Sequence, residues 1–187
     1  MSRDDETLST LREQGLSVPV NVRRLPKTGS FHKFKADDSQ RDLLAKFADV
    51  LEVRSFQAEA RVKPWQSGGV SIAGRVEADL IQSCAVTGDP VFSRVLEDVD
   101  ALMVPEGSKL AAPRISQEGE IVLEAEGDDP PETFTGDSVD LADVWLEFFI
   151  LGIDPYVKAE GAAWETGDED VVEEESPFAA LAALKTD

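Results

Sequence analysis

The stretch VSIAGRVEADLIQSCAVTGDPVFSRVLEDVDALMVP, residues Val70–Pro105, decides the fold of this chain. In its first half polar and apolar residues alternate, and one side holds the apolar residues Val70, Ile72, Val76, Ala78, Leu80 and Cys84. A period of two over this length indicates a β-strand with one buried and one solvated face. The cluster TGDP at residues 87–90 is typical of a turn. The stretch is therefore predicted to form a long β-hairpin.

The second arm of this hairpin lacks a clean alternation. Its apolar residues occupy odd positions, such as Val95 and Val99, and even positions, such as Phe92 and Leu96. We expect either that both faces of this strand are covered or that a β-bulge near Glu97–Asp98 exchanges the two faces.

Two short strands and a helix are predicted upstream. Ser17–Leu25 and Phe31–Lys35 alternate over short lengths, which favours strands. Asp37–Val50 has apolar residues at helical spacing, and Asp38 or Ser39 is predicted to cap this helix.

The next strand connects this helix to the hairpin. Val53–Lys63 is predicted to be a strand, with a bulge where the alternation shifts between Ser55 and Phe56. Pro64–Gly69 is a predicted turn. Three consecutive antiparallel strands would form a meander.

The clearest helix comes after an acidic stretch. Ile115–Leu123 is predicted to be a further hairpin edge, and Glu124–Gly136 an exposed loop. A wide apolar stripe then follows at helical spacing: Leu141, Val144, Trp145, Phe148, Phe149 and Gly152. Asp137 or Ser138 is the predicted cap. We expect an α+β fold in which this helix packs on an antiparallel, curved sheet or partly open barrel.

The 187 residues suit one domain with tails. We expect a flexible N-terminus at residues 1–16, a single α+β domain at 17–160 and an acidic linker at 161–175. Residues 176–187 are predicted to form a short amphipathic helix that docks on its own domain or on a partner. Ser176 would cap it, and its candidate docking residues are Pro177, Phe178, Leu181 and Leu184.

The charge is concentrated in the second half. The chain carries 18 lysines and arginines against 38 aspartates and glutamates, a net charge of −20. Residues 1–100 contribute −2 of this and residues 101–187 contribute −18. Such a field attracts basic proteins and repels phosphate backbones, which argues against extensive RNA binding by the C-terminal half. Solubility alone is the alternative explanation.

The sequence does not point to catalysis. It contains none of the P-loop, dinucleotide-binding, zinc-protease or nucleophile-elbow motifs. The lone His32 is interpreted as a surface or half-buried residue, and Cys84 as a buried structural thiol. We predict a protein that is not an enzyme and that has no cofactor and no metal.

The location is predicted to be the cytoplasm. A single cysteine excludes an internal disulfide and fits a reducing compartment. The N-terminus lacks the apolar segment of a secretory signal, and no window approaches 18 apolar residues, so no membrane association is expected.

One group of basic residues is a candidate RNA-facing cluster: Arg23, Arg24, Lys27, Lys33 and Lys35. Cations of this kind neutralise phosphates, although five of them in a domain of mixed charge also fit an ordinary surface.

Three segments carry a family resemblance. They are QSCAVTGDPV at residues 82–91, SVDLADVWLEFFILGIDPY at 138–156 and SPFAALAALK at 176–185. In this order and spacing the chain resembles the YceD family, also called the large ribosomal RNA subunit accumulation proteins, and in particular its alphaproteobacterial branch. The resemblance implies a cytoplasmic, non-enzymatic ribosome-biogenesis factor required for accumulation of the large-subunit (23S) rRNA. We expect a basic ribosomal protein or assembly factor as its partner, and direct rRNA contact is the alternative.

The turn that carries the resemblance departs from the family pattern at one position. Many relatives have a second cysteine three positions after the first, where this chain has Thr87. Cys84 therefore cannot be half of a two-thiol site here. The candidate residues of this family-motif turn are Gln82, Cys84, Thr87, Gly88 and Pro90.

Overall fold

The computed structural model describes residues 10–13, 15–111 and 130–163. A five-stranded sheet has the order β2 (Ser30–Lys35), β3 (Glu52–Pro64), β4 (Val70–Ser83), β5 (Pro90–Pro105) and β6 (Glu132–Phe134). Its pairs are antiparallel except β5 with β6, which is parallel. A separate two-stranded sheet pairs β1 (Pro19–Asn21) with β7 (Ser138–Asp140). The two longer helices are α1 (Asp38–Phe47) and α2 (Leu141–Leu151). The predicted α+β fold is confirmed, and the sheet is open, not closed into a barrel.

The central hairpin pairs without interruption. Its register runs from Val70 opposite Met103 to Ser83 opposite Pro90. The β-bulge predicted near Glu97–Asp98 is therefore absent. The other alternative, burial of both faces, holds only at the end of the strand, where Ala101 and Val104 are both buried. Earlier in β5, Phe92 and Leu96 are 56% and 57% exposed, so the mixed pattern there reflects apolar residues on a solvated face, which we call the outer face.

The preceding strand contains the predicted bulge, but it lies just before Ser55 and not between Ser55 and Phe56. The register of β3 against β4 shifts between Val53 and Ser55. After the shift, the buried residues of β3 are even-numbered, from Phe56 to Val62, and they match the even-numbered buried residues of β4. The bulge therefore places the apolar residues of both strands on one side, the inner face.

The core lies between the inner face and the two helices. The buried stripe of α2 predicted from the sequence packs against β4 and β5, and α1 packs against β3. Aromatic rings join the layers: Phe56 meets Phe149 edge-on at 5.3 Å, and Trp145 stacks on Phe34 at 6.3 Å. Helix α2 thus covers the inner face as expected.

Strands β3 and β4 approach closely at Gly74. A Cβ placed on Gly74 would lie 2.0 Å from the Glu59 carbonyl oxygen and 2.7 Å from the Ala60 Cα. No side chain fits at such distances, so glycine is required where the two backbones approach each other. This explains why position 74, between the apolar residues Ile72 and Val76 of the buried face, holds a glycine.

Both helix caps differ from the predicted residues. Asp37, not Asp38 or Ser39, caps α1 and forms a reciprocal capping box with Gln40. Asp140, not Asp137 or Ser138, caps α2 by accepting from the Ala142 N–H. The predicted cap of α2 was placed too early because residues 138–140 form β7 before the helix begins.

The folded part begins before the predicted start at Ser17. Leu11 and Leu16 are buried in the core, and residues 10–13 include a helical turn. Within the predicted loop Glu124–Gly136, residues 132–134 form β6. The predicted hairpin edge at Ile115–Leu123 lies outside the described residues, as do most of the acidic linker and the helix with Pro177, Phe178, Leu181 and Leu184.

Candidate functional site

The hairpin tip that carries the family resemblance is fastened to the segment that follows α2. The Gln82 side-chain amide donates to the Asp154 carbonyl oxygen at 2.9 Å, and its carbonyl oxygen accepts from Ser93. The Ala85 N–H donates to the Val157 carbonyl oxygen at 2.9 Å. Gln82 is buried although it is polar, and these bonds satisfy it.

Cys84 is the centre of this tip. Its side chain is only 3% exposed, and its sulfur accepts from three backbone N–H groups, those of Ala159 at 3.3 Å, Val86 at 3.4 Å and Thr87 at 3.5 Å. The tip turns through Gly88, which has φ +79°, and Pro90 begins the returning strand. The tip therefore encloses the sulfur.

These donors stabilise the thiolate. They lower the pKa of Cys84 to about 6, with the Ala159 N–H as the largest cause, followed by the Thr87 hydroxyl. Burial of the thiol, predicted from the sequence, is confirmed. The low pKa was missed because Ala159 is distant in sequence. In the described part of the chain, no group of three histidines, cysteines, aspartates or glutamates is placed to hold a metal ion.

A second site is an acidic cleft between β6, β7 and the first turns of α2. It has a volume of about 430 Å³. Four carboxylates line it, together with one cation: Glu132, Asp140, Asp143, Glu147 and Arg12. We call this set the acidic cleft.

The carboxylates of the acidic cleft have different partners. Asp140 is occupied by Ser17, by the Val18 N–H and by the helix it caps. Asp143 pairs with the Arg12 guanidinium at 2.7 Å. Glu132 and Glu147 have no ion-pair partner among the residues that the structure describes. Desolvation, and then the charge of Glu147, raise the pKa of Glu132.

The structure does not gather the five predicted RNA-facing residues into one cluster. Arg23 and Arg24 lie in a 3-10 turn after β1, where Arg23 pairs with Asp137 at 2.9 Å. Lys27 lies in the following loop. Only Lys33 and Lys35 lie on the large sheet, on the outer face of β2.

Two residues that the sequence argument missed lie beside these lysines. Phe31 shares the outer face of β2 with them and is 50% exposed. Arg61 lies opposite Phe31 on β3, with its guanidinium 5.7 Å from the ring centroid, and the Lys33 ammonium is 5.3 Å from the same centroid. The alternation of Phe31, Lys33 and Lys35 was visible in the sequence, but Arg61 joins them only through the register of two strands. The adjacent His32 is half-buried and contacts Ser30 at 2.7 Å.

Comparisons with known proteins found no relative of this chain. No protein-family model, no curated protein and no solved structure matches the chain. Among the described helices, none has the length and apolar character needed to cross a bilayer.

Proposed function

We propose that this protein is a non-catalytic, cytoplasmic assembly factor for the large ribosomal subunit, required for accumulation of 23S rRNA. It works by holding a basic ribosomal protein or assembly factor. The resemblance of its three segments to the YceD family supports the biological process, and the acidic cleft supports the mode of action.

The main support for this proposal is that the side chain of Arg12 already lies in the acidic cleft. Its guanidinium lies 2.7 Å from the Asp143 carboxylate, and Asp143 raises the pKa of Arg12 through a hydrogen bond and its charge. The cleft therefore already accepts an arginine side chain. Glu132 and Glu147 provide further negative charge beside it, as a lysine or arginine of a basic partner would require.

The distribution of charge supports the same function. The described residues hold 15 lysines and arginines and 21 aspartates and glutamates, a net charge of −6. The remaining residues hold 3 basic and 17 acidic side chains, a net charge of −14. Most of the long-range attraction for a basic partner thus comes from sequence outside the described fold, and the cleft supplies a specific contact.

The experiment is a capture from cell lysate with the full chain as bait, with and without ribonuclease, read by mass spectrometry. We expect a basic protein of the large subunit, or a basic assembly factor, to be retained after ribonuclease treatment. The variant Glu132→Gln with Glu147→Gln should lose it. The control, Asp42→Asn with Asp49→Asn, removes the same charge from exposed positions in and just after α1. If both double variants retain the partner equally, or if ribonuclease releases it, the proposed mode of action fails.

A second candidate function is direct RNA binding, and one observation favours it. Lys33 and Lys35 lie beside exposed Phe31 and Arg61 on a sheet face that no described element covers. The variant Lys33→Glu with Lys35→Glu should then reduce rRNA accumulation while leaving the captured protein unchanged. Arg23→Glu with Arg24→Glu is the control of equal charge change, since these residues lie in the 3-10 turn after β1 and not on the five-stranded sheet.

A further inference from the structure

We infer that the outer face of β2 and β3 binds single-stranded RNA, with Phe31 as a stacking platform between cations. We call this surface the Phe31 patch, and it consists of Phe31, Lys33, Lys35, Arg61 and Lys63. The inference deepens the second candidate function and rests on it, but it moves the site away from Arg23, Arg24 and Lys27.

The sheet register determines which side chains share the patch. In an antiparallel pair, directly opposed residues point to the same side. Phe31 is opposite Arg61, and Lys33 is opposite Glu59. Lys63 is two residues beyond Arg61 on β3 and therefore has the same orientation. Two cations thus lie over the exposed ring, Lys33 at 5.3 Å and Arg61 at 5.7 Å from its centroid. Lys35 and Lys63 extend the positive charge along the two strands, beside the carboxylate of Glu59.

Three of the four cations of the patch have no ion pair among the described residues and are available for a ligand. Lys33 shares its charge with Glu59, which lies 2.8 Å from its ammonium. Lys35, Arg61 and Lys63 form no ion pair within the part of the chain that the structure describes. This concentration of free cations contrasts with the net negative charge of the molecule, and it is complementary to phosphate.

The exposed ring of Phe31 favours single-stranded over duplex nucleic acid as the ligand. Half of Phe31 is exposed, and β2 pairs with no described strand on its free edge, so a flat base can reach the part of the ring that Lys33 and Arg61 leave uncovered. Bases stack on aromatic side chains without sequence preference, and Arg61 can add a cation–π contribution. Bases inside a duplex are already stacked, so the patch suits a single strand.

A groove beside the ring provides room for the strand to continue. It has a volume of about 320 Å³ and runs across β2, β3 and β4. Lys33, Lys35 and Arg75 line it together with Gln57, Glu59 and Glu77. Lys33 and Lys35 therefore extend the positive charge of the patch into this groove, where Arg75 is paired with Asp98 at 3.1 Å.

The test measures binding of the full chain to a labelled single-stranded RNA of about 12 nucleotides by fluorescence anisotropy at low salt. Phe31→Ala should weaken binding roughly 5- to 150-fold, the range measured for loss of one stacked base. Phe31→Trp should retain binding, because it keeps a stacking ring. Phe92→Ala is the matched control, since Phe92 is exposed to a similar degree on the same outer face but lies on the far edge of the hairpin.

Salt dependence tests the cations independently. Lys33→Gln and Arg61→Gln should each weaken binding and reduce the slope of log K against log salt by about 0.7. An RNA duplex of the same sequence completes the comparison, and it should bind more weakly than the RNA strand because its bases are already stacked.

Three results would overturn the inference. In the first, Phe31→Ala and Phe92→Ala bind RNA equally well. In the second, the duplex binds as tightly as the single strand. In the third, the chain binds no RNA. Binding of a synthetic peptide of residues 165–175 to the patch would then assign this face to the chain's own acidic segment. Failure here leaves the protein-holding function intact, because that function depends on Glu132 and Glu147, and their replacement should not weaken RNA binding.

Discussion

The backbone N–H of Ala159 donates a hydrogen bond to the sulfur of Cys84 across 3.3 Å, although the two residues are 75 positions apart in the chain. With the bond from Ala85 to Val157, it fixes the segment after α2 to the hairpin tip. Cys84 therefore acts as a buried acceptor that closes the fold, a role that one sulfur fulfils without a second thiol.

This contact predicts an acidic thiol. We expect the Cys84 thiolate to appear with a midpoint near pH 6. Because the chain has one cysteine, its ultraviolet thiolate absorbance reports this residue alone. Thr87→Val removes the hydroxyl and should move the midpoint upward, whereas Thr87→Ser should keep it near the native value.

The same shift gives a direction for stability. The pKa of Cys84 is lower in the folded state than in the unfolded chain, so the ionised thiol stabilises the fold. This contribution is fully present above the ordinary cysteine pKa and is lost as the pH falls through about 6. The free energies of unfolding of the native chain and of Cys84→Ala, measured with a denaturant, should therefore differ more near the ordinary cysteine pKa than near pH 6. A constant difference would contradict the assignment.

Gly74→Ala should destabilise the protein by about 1–3 kcal/mol or more, the usual cost of overpacking. The added Cβ would meet the backbone of Glu59 and Ala60, which cannot move independently of the sheet. Urea unfolding measures the loss. Ala73→Ser, at the exposed neighbouring position, should change stability by less than about 0.5 kcal/mol.

Asp140→Ala should cost about 1–3 kcal/mol, since it removes the cap of α2 and also the acceptor for Ser17 and for the Val18 N–H. Thermal unfolding followed by circular dichroism tests this. Ser138→Ala, at the alternative cap suggested by the sequence, should be nearly neutral. Equal losses would show that Asp140 has no special role at this junction.

Glu147→Gln should lower the pKa of Glu132 without restoring its ordinary value, because desolvation, the larger cause, remains. Carboxyl carbon chemical shifts followed by NMR give the midpoint. Since the pKa of Glu132 is raised on folding, its ionised form opposes folding above that pKa, and the opposition disappears at low pH. Glu132→Gln should therefore leave stability at neutral pH unchanged or slightly higher.

Sequence reasoning predicted the elements whose signals are local. The alternation of Val70–Ser83, the turn after it, the bulge near Ser55 and the apolar stripe of α2 each follow from a short periodic pattern. The short strand β6 was not predicted, because its parallel partner β5 is distant in sequence. The caps were displaced because several acceptor residues precede each helix, and tertiary contacts select among them.

The candidate sites were less accessible to sequence reasoning. Cys84 and the lysines of β2 could be named individually, but their partners Ala159 and Arg61 depend on how distant segments meet. The exposure of Phe92 and Leu96 matched neither alternative offered for β5, a covered outer face or a bulge, because hydrophobicity alone does not distinguish a core residue from one on an open face.

The two faces of β4 separate two kinds of evolutionary constraint within one strand. Substitutions at even positions such as Ile72 and Leu80 change the stability of the fold, since those side chains are fully buried. Substitutions at odd positions such as Arg75 and Glu77 mainly change the surface that a ligand of the outer face would contact. Substitutions that alter ligand binding can therefore accumulate at every second residue of the strand with little effect on the stability of the fold.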